Sequence, residues 1–367
     1  MINKLVIFGG TFNPIHNGHI NMALETQGFL GGPEECKIVF VPNKSSVWKK
    51  EDISAEDKLN MVKLSIKGYK GFEIDEFELN NKDDNYSYLT VRYFKEKYAN
   101  KDIKLYFLIG TDQAKLFHKW KKAEEVATNC QILYFSRPGE SIDNDNVRKF
   151  NIVNVKSDKL CSVSSSDVRE LKSLDIQDCV LKYISEHNLY YCGKMSHYID
   201  EHRLNHSKSV ALLCKKIADS NNIKDSYKYY IAGLLHDIGK DVPKDVCEEI
   251  ETTYKRYMPM DPRLYHQFYG CYIAKDDFGI NDEEILDAIR YHATGKPNMS
   301  KMGKTVYASD KTDPLRGYDS SDMIDALLKD IDDGFVYVLS ENKKHLLSKG
   351  RDISNLLTKE CFEFYLK

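Results

Sequence analysis

Near Leu189-Tyr-Tyr-Cys-Gly-Lys194, about halfway along the 367-residue chain, the hydrophobic pattern changes its period. One layer architecture does not accommodate both halves. Before that point, Lys4–Phe8, Lys37–Val41, Lys104–Ile109, Gln131–Phe135 and Asn151–Val155 read as short apolar strands. Uninterrupted apolar runs of this kind suit a parallel sheet covered on both faces. Between them, Ile20, Ala23 and Leu24 are expected to share a helix face, as are Leu59, Val62 and Ile66. Ser54-Ala-Glu-Asp57 and Ser164-Ser-Ser-Asp167 read as capped helix starts, the second opening a helix that carries Val168 and Leu171. Strand–helix alternation predicts an α/β domain, a Rossmann-like doubly wound parallel sheet. Beyond it only helical spacings occur: His206, Val210, Leu213 and Ile217 fall on one face, and Ile285, Ile289 and His292 on another. The second half is therefore expected to be all-α, with the boundary in 190–196 and domains at 1–192 and 193–367.

Charge and cysteine usage narrow the class. With 53 Lys and Arg against 56 Asp and Glu, a net charge of −3 gives no basic face for nucleic acid or an anionic membrane. No apolar run approaches the ~20 residues of a membrane span, and the first residues lead straight into a strand without a signal-peptide core. Nine scattered cysteines, none in a Cys-x-x-Cys pair, read as reduced thiols. The expectation is a soluble cytoplasmic protein, with no nucleic-acid or membrane partner and with a homo-oligomer left open.

Two constellations carry chemistry. The first strand runs into Gly9-Gly10-Thr11-Phe12-Asn13-Pro14-Ile15-His16-Asn17-Gly18-His19, and a helix follows. A glycine-rich turn feeding a helix N-terminus lets backbone approach a phosphate and favours anions. It is neither a Walker A loop nor a dinucleotide Gly-x-Gly-x-x-Gly turn. Two imidazoles flanking a glycine can instead donate to phosphoryl oxygens as charge builds in a transition state. In the second half, His236-Asp237 lies inside an apolar stretch, with His206, His266, His292 and Asp310 elsewhere in that half. Burying a His-Asp pair is costly unless both side chains bind something. A divalent ion satisfies both, and this donor set suits Fe, Mn, Co or Zn better than magnesium alone. His197, His202 and His345 lack such context and are expected at the surface, whereas Cys214, Cys247, Cys271 and Cys361 read as core filler.

The N-terminal string resembles the His-x-Gly-His nucleotidyltransferases, and the longer pattern is similar to bacterial nicotinate-nucleotide adenylyltransferases. Pro42-Asn43, Tyr86-Ser87-x-x-Thr90, Gly110-Thr-Asp112, Trp120, Ser136-Arg-Pro-Gly139 and Ser164-Ser-Ser-Asp-Val-Arg169 follow that family's order over about residues 1–190. The resemblance implies that His16 and His19 hold the ATP triphosphate and stabilise the pentavalent state. It further implies that Gly9, Gly10, Thr11, Phe12, Gly18, Gly110, Asp112, Ser165, Ser166 and Arg169 complete the ATP site, with Mg2+ entering alongside ATP. Lys49, Ser87 and Trp120 would bind the mononucleotide. Asn13, Trp48 and Lys58 depart from the family pattern, which bears on nicotinate-versus-nicotinamide preference. A pantetheine-phosphate or cytidylyl transferase is the competing reading of this half.

From about residue 197 to 320 the chain resembles the HD metal-dependent phosphohydrolases, in particular the branch that splits diadenosine tetraphosphate symmetrically into two ADP. Leu234-Leu-His-Asp-Ile-Gly-Lys240, His266-x-x-x-Gly270, the run from Asp287 to Met299, and Ser309-Asp310-Lys-Thr-Asp313-Pro-Leu-Arg316 carry the likeness. Ala293 and Asp313 depart from it. The resemblance implies His206, His236, Asp237, His266, His292 and Asp310 as ligands of a di-iron or manganese centre, with Asp237 bridging and catalytic. Lys240 and Arg316 would neutralise a dinucleoside polyphosphate, Lys240 as part of the catalytic set. The expectation is a bifunctional enzyme using ATP and nicotinate mononucleotide in front and a dinucleoside polyphosphate behind. A nucleotide-sensing HD domain is the alternative.

Overall fold

Leu5, Val6 and Ile7 are all fully buried, so the first strand has no solvent face and lies inside a sheet. The computed structural model of the protein describes residues 2–43, 53–81, 85–135, 144–155, 163–241, 252–257 and 260–367. The chain forms two compact units, Met1–Arg169 with Leu174–Tyr190, and Glu170–Ser173 with Tyr191–Lys367.

In the first unit the strands are β1 (Lys4–Gly10), β2 (Cys36–Pro42), β3 (Phe72–Ile74), β4 (Lys104–Gly110), β5 (Gln131–Phe135) and β6 (Val153–Asn154). Neighbouring strands pair in parallel, in the order β3-β2-β1-β4-β5-β6. The chain winds outward from β1 on one side and from β4 on the other. A crevice therefore opens where the order reverses, at the C-terminal ends of β1 and β4. The glycine-rich turn leaves β1 there, and Gly110 ends β4 at the same edge.

Three local expectations need correction. Leu24 does not share the buried face of its helix, Asn17–Phe29, and is 37% exposed. The buried stripe instead runs through Ile20, Ala23, Thr26 and Gln27. Gln27 can be buried because its amide donates to the carbonyls of Cys36 and Lys70. The helix opened by Ser164 ends at Arg169, and Leu171 takes a φ of 56° beyond it while remaining buried. The strand expected over Asn151–Val155 contracts to Val153–Asn154, and β3 is too short to leave a periodic signal.

The second unit is helical among its described residues. Helix Glu201–Ser220 packs on Ser226–Leu235, and Gly233 makes that possible: a Cβ there would lie 2.9 Å from Cys214 Sγ and 3.0 Å from Ala211 Cα. Helices His266–Asp276, Glu283–Arg290 and Lys301–Thr312 complete the surround of the histidine cluster. His292 lies in the turn after Arg290 rather than on the helix face expected for it, yet it is buried. Cys214, Cys271 and Cys361 are buried as expected, and Cys247 lies outside the described residues. No helix among the described residues is long and apolar enough to cross a membrane.

Candidate active sites

The turn after β1 brings two imidazoles together. The His16 and His19 ring centroids are 3.7 Å apart, and the His16 backbone N–H donates to His19 Nδ1 at 3.2 Å. Since Nδ1 accepts, a neutral His19 carries its proton on Nε2. Burial, reinforced by His16, holds the His19 pKa well below 6.5, so the ring is a neutral donor. Gly18 separates the pair by necessity, because a Cβ there would sit 2.9 Å from His16 Nδ1. A Cβ on Gly10 would lie 3.0 Å from the Phe12 ring, which is buried on a backbone of φ 44°. Thr11 stands between them, Gly9 lies against Phe107, and Asn13-Pro14 is a cis peptide.

The start of helix Ser165–Arg169 is laced to this turn. Ser165 Oγ donates to the Pro14 carbonyl at 2.9 Å, and Arg169 donates to the Asn13 carbonyl and, at 2.9 Å, to Ser166 Oγ. Ser164 and Asp167 exchange capping hydrogen bonds that fix the helix start. Groups 151 positions apart in the chain thus converge on one loop. Asp112 is exposed one residue into the short helix that follows Gly110. Ser87 opens helix Ser87–Lys97, and Trp120 is half-buried, edge-on to Phe107 with ring centroids 5.9 Å apart. Lys49, Trp48 and Ser136–Gly139 lie outside the described residues. Glu78 is a group that no sequence pattern announces. Its buried carboxyl accepts from Thr90 Oγ1 at 2.5 Å, and burial raises its pKa to about 7. A Thr-to-Glu spacing of 12 residues across a helix break gives no periodic signal.

In the second unit, three histidines are oriented in the same way. Nδ1 of His236, His266 and His292 faces the carbonyl three residues earlier, of Gly233, Arg263 and Ile289, at 2.7, 2.6 and 2.8 Å. A carbonyl only accepts, so each Nδ1 holds a proton, and the neutral form of each ring turns an Nε2 lone pair inward. His266 and His292 place those Nε2 atoms 3.0 Å apart, both 3.2 Å from Asp237 Oδ1. His236 Nε2 is buried without a hydrogen-bond partner, 3.7 Å from Asp237 and from Asp310. Lone pairs converging on carboxylates, with one nitrogen orphaned, are a poor hydrogen-bond arrangement and a good cation-binding one.

His206 completes the set differently. Its Nε2 lies 3.1 Å from Asp310 Oδ1 and its Nδ1 2.5 Å from Asp313 Oδ2. Burial opposes a charge on His206, but Asp310 and Asp313 outweigh it and push the pKa up to about 9. Burial drives His292 down to about 3. Burial also opposes ionisation of Asp237 and Asp310, yet His236 beside Asp237 and Lys311 beside Asp310 lead the neighbours that hold both carboxyls well below 3.8. Lys240 reaches both Asp237 oxygens at 3.1 Å, and Arg316 donates to Asp310 Oδ1. The structure thus gathers all six expected ligands, which form three groups able to hold an ion: His206, His236 and Asp237; His236, His292 and Asp310; and Asp237, His266 and His292. Asp313, in the sequence only a departure from the family pattern, is the carboxylate that orients His206.

The Cytidylyltransferase-like family matches residues 7–171, and the HD domain family matches residues 203–315. A Mycoplasma genitalium protein named "Probable nicotinate-nucleotide adenylyltransferase/Ap4A hydrolase" is 30% identical over 318 residues, covering 86% of this chain and 89% of its own length. A Clostridium tetani protein named "Probable nicotinate-nucleotide adenylyltransferase" is 34% identical over 190 residues, 49% of this chain and 92% of that one. The crystal structure of a "predicted HD superfamily hydrolase involved in NAD metabolism" from Clostridium acetobutylicum is 27% identical, with a TM-score of 0.42, over 51% of this chain and 96% of that one. Fold and sites define an enzyme with a nucleotidyltransferase unit followed by an HD unit built to hold a divalent metal. The chain belongs to the two-domain family named nicotinate-nucleotide adenylyltransferase/Ap4A hydrolase.

Proposed function

We propose that the first unit transfers the adenylyl group of ATP to nicotinate mononucleotide, forming deamido-NAD and pyrophosphate. The observation that carries this reading is the neutral His19 donor beside His16 on a loop tied to Ser165 and Arg169. The mononucleotide phosphate attacks the α-phosphorus, the bond from that phosphorus to the bridging oxygen breaks, and pyrophosphate departs with the electron pair. No protein nucleophile is needed, so catalysis is positioning and charge stabilisation. His16 and His19 donate to the triphosphate as charge builds, while Gly9, Gly10, Thr11, Phe12 and Gly18 shape the loop around it. Ser165, Ser166 and Arg169 receive the departing phosphates. Gly110 and Asp112 face adenosine or the magnesium that accompanies ATP, and Lys49, Ser87 and Trp120 bind the mononucleotide. Supplying ATP with nicotinate or nicotinamide mononucleotide and following pyrophosphate release tests the reading. Turnover with nicotinate mononucleotide is expected, and turnover with neither sinks it.

The second unit is read as a hydrolase of diadenosine tetraphosphate, with His206, His236, Asp237, His266, His292 and Asp310 holding a two-ion iron or manganese centre. When bound, such ions supply Lewis acidity at phosphoryl oxygens and make water a competent nucleophile at neutral pH. Lys240 and Arg316, with side chains 37% and 42% exposed, are able to turn from the carboxylates toward substrate phosphates. Water attacks one inner phosphorus, the central bridging bond breaks, and two ADP result. Diadenosine tetraphosphate with Mn(II) or Fe(II) should yield ADP, and His236→Ala should abolish that reaction alone. ATP plus AMP as products would exclude symmetrical cleavage, and nucleotide binding without turnover would make the unit a sensor. The seven described cysteines, all free, suit a reducing cytoplasm.

A further inference from the structure

Among the described residues, three cations approach the carboxylates of the second site, and they are not equivalent. Lys240 and Arg316 come from the solvent side, whereas the Lys311 side chain is only 17% exposed. Its ammonium donates to Asp310 Oδ2 at 2.9 Å and to the His292 backbone carbonyl at 2.8 Å. It also lies 4.2 Å from the centroid of the buried Tyr307 ring, whose hydroxyl is held by Asn342 at 2.8 Å. An ammonium caged by a carboxylate, a carbonyl and an aromatic face cannot swing out to meet a substrate phosphate.

The two oxygens of Asp310 are thereby divided. Oδ2 is committed to Lys311, while Oδ1 faces His206 Nε2 at 3.1 Å, His236 Nε2 at 3.7 Å and the Arg316 guanidinium, which is 42% exposed and able to turn away. The same ammonium ties helix Lys301–Thr312, which carries Asp310, to the turn that carries His292. We propose that Lys311 is a positioning residue of the metal centre: it reserves Asp310 Oδ1 for the ion and locks the Asp310 and His292 arms together. The proposal rests on reading this cluster as a metal site.

The test is equilibrium binding of Mn(II) alone to the full chain, with free ion measured by electron paramagnetic resonance. Lys311→Met keeps the stem and removes the charge, while Lys311→Arg keeps the charge. The Met variant should bind Mn(II) about 10–100-fold more weakly, the usual cost of losing an outer partner of a metal ligand. The Arg variant should stay within about tenfold of the parent and bind more tightly than the Met variant. Adenylyl transfer by the first unit, in which Lys311 takes no part, should be unchanged in both. Should Lys311→Met fail to fold, Lys311→Gln, which retains an N–H donor, replaces it with a smaller expected loss. Equal Mn(II) affinity in parent and Met variant overturns the Lys311 proposal alone, as does an equal loss in the Met and Arg variants. A parent that takes up no Mn(II) overturns the reading of the metal site and the proposal with it.

Discussion

His19 shows how one backbone hydrogen bond decides a chemical role. With Nδ1 occupied by the His16 N–H and burial opposing protonation, the ring offers Nε2–H and no positive charge. Nitrogen-15 NMR should find the Nε2–H tautomer, with no titration of this ring between pH 6 and 8. In the unfolded chain it takes up a proton near its ordinary 6.5, so its contribution to stability is present above pH 6.5 and lost as pH falls below it. Glu78 has the opposite sign. Its folded pKa of about 7 exceeds the ordinary 4.5, so the stability it contributes is full below pH 4.5 and lost as pH rises through 7. The window is worth about 3 kcal/mol. Glu78→Gln, which keeps an acceptor for Thr90, should remove that pH dependence, read as the difference between variant and parent melts from pH 4.5 to 8.

At the scale of elements, two glycines hold positions where a side chain would displace a neighbour. A Cβ on Gly18 meets the His16 ring, so Gly18→Ala should leave the fold intact yet lower kcat for adenylyl transfer about 100-fold, the effect of misplacing a catalytic group by about 1 Å. Gly239 is more constrained, since its Cβ would lie 2.3 Å from Gly270 N and 2.5 Å from the His266 carbonyl. Gly239→Ala would push the His236-Asp237 turn away from the helix bearing His266. It should cost about 1–3 kcal/mol or more in thermal unfolding and abolish Mn(II) uptake. The strand–turn–helix around His16 was legible in the sequence because its residues are contiguous and each choice is local. The Gly239–Gly270 contact and the Asp313 partner of His206 were not, because each joins groups far apart in sequence, and neither was the link from Lys311 to the His292 carbonyl 19 residues earlier, which crosses a turn between helices. Helix periodicity put His206 and His292 inward correctly, but it could not tell that His292 lies past its helix, where the turn geometry and not the 3.6-residue repeat aims the ring.

For the whole molecule, the change of period near residue 190 announced two architectures, and the sheet and the helical unit follow it. Strand order and the crevice between β1 and β4 were less legible, because parallel pairing joins segments that no local pattern connects. The different metals proposed for the two sites predict a simple separation. After EDTA treatment, restoring Mg2+ alone should recover pyrophosphate release, while ADP formation from diadenosine tetraphosphate should return only with Mn(II) or Fe(II), because imidazole-rich donor sets disfavour magnesium. The three rings fixed by carbonyls three residues upstream have one more consequence. Each such ring carries its own aiming device, so connecting segments between them can lengthen, shorten or diverge in evolution without redirecting a ring. His206 has no such independence: its aim comes from Asp313, 107 residues away, and those two positions must be inherited together.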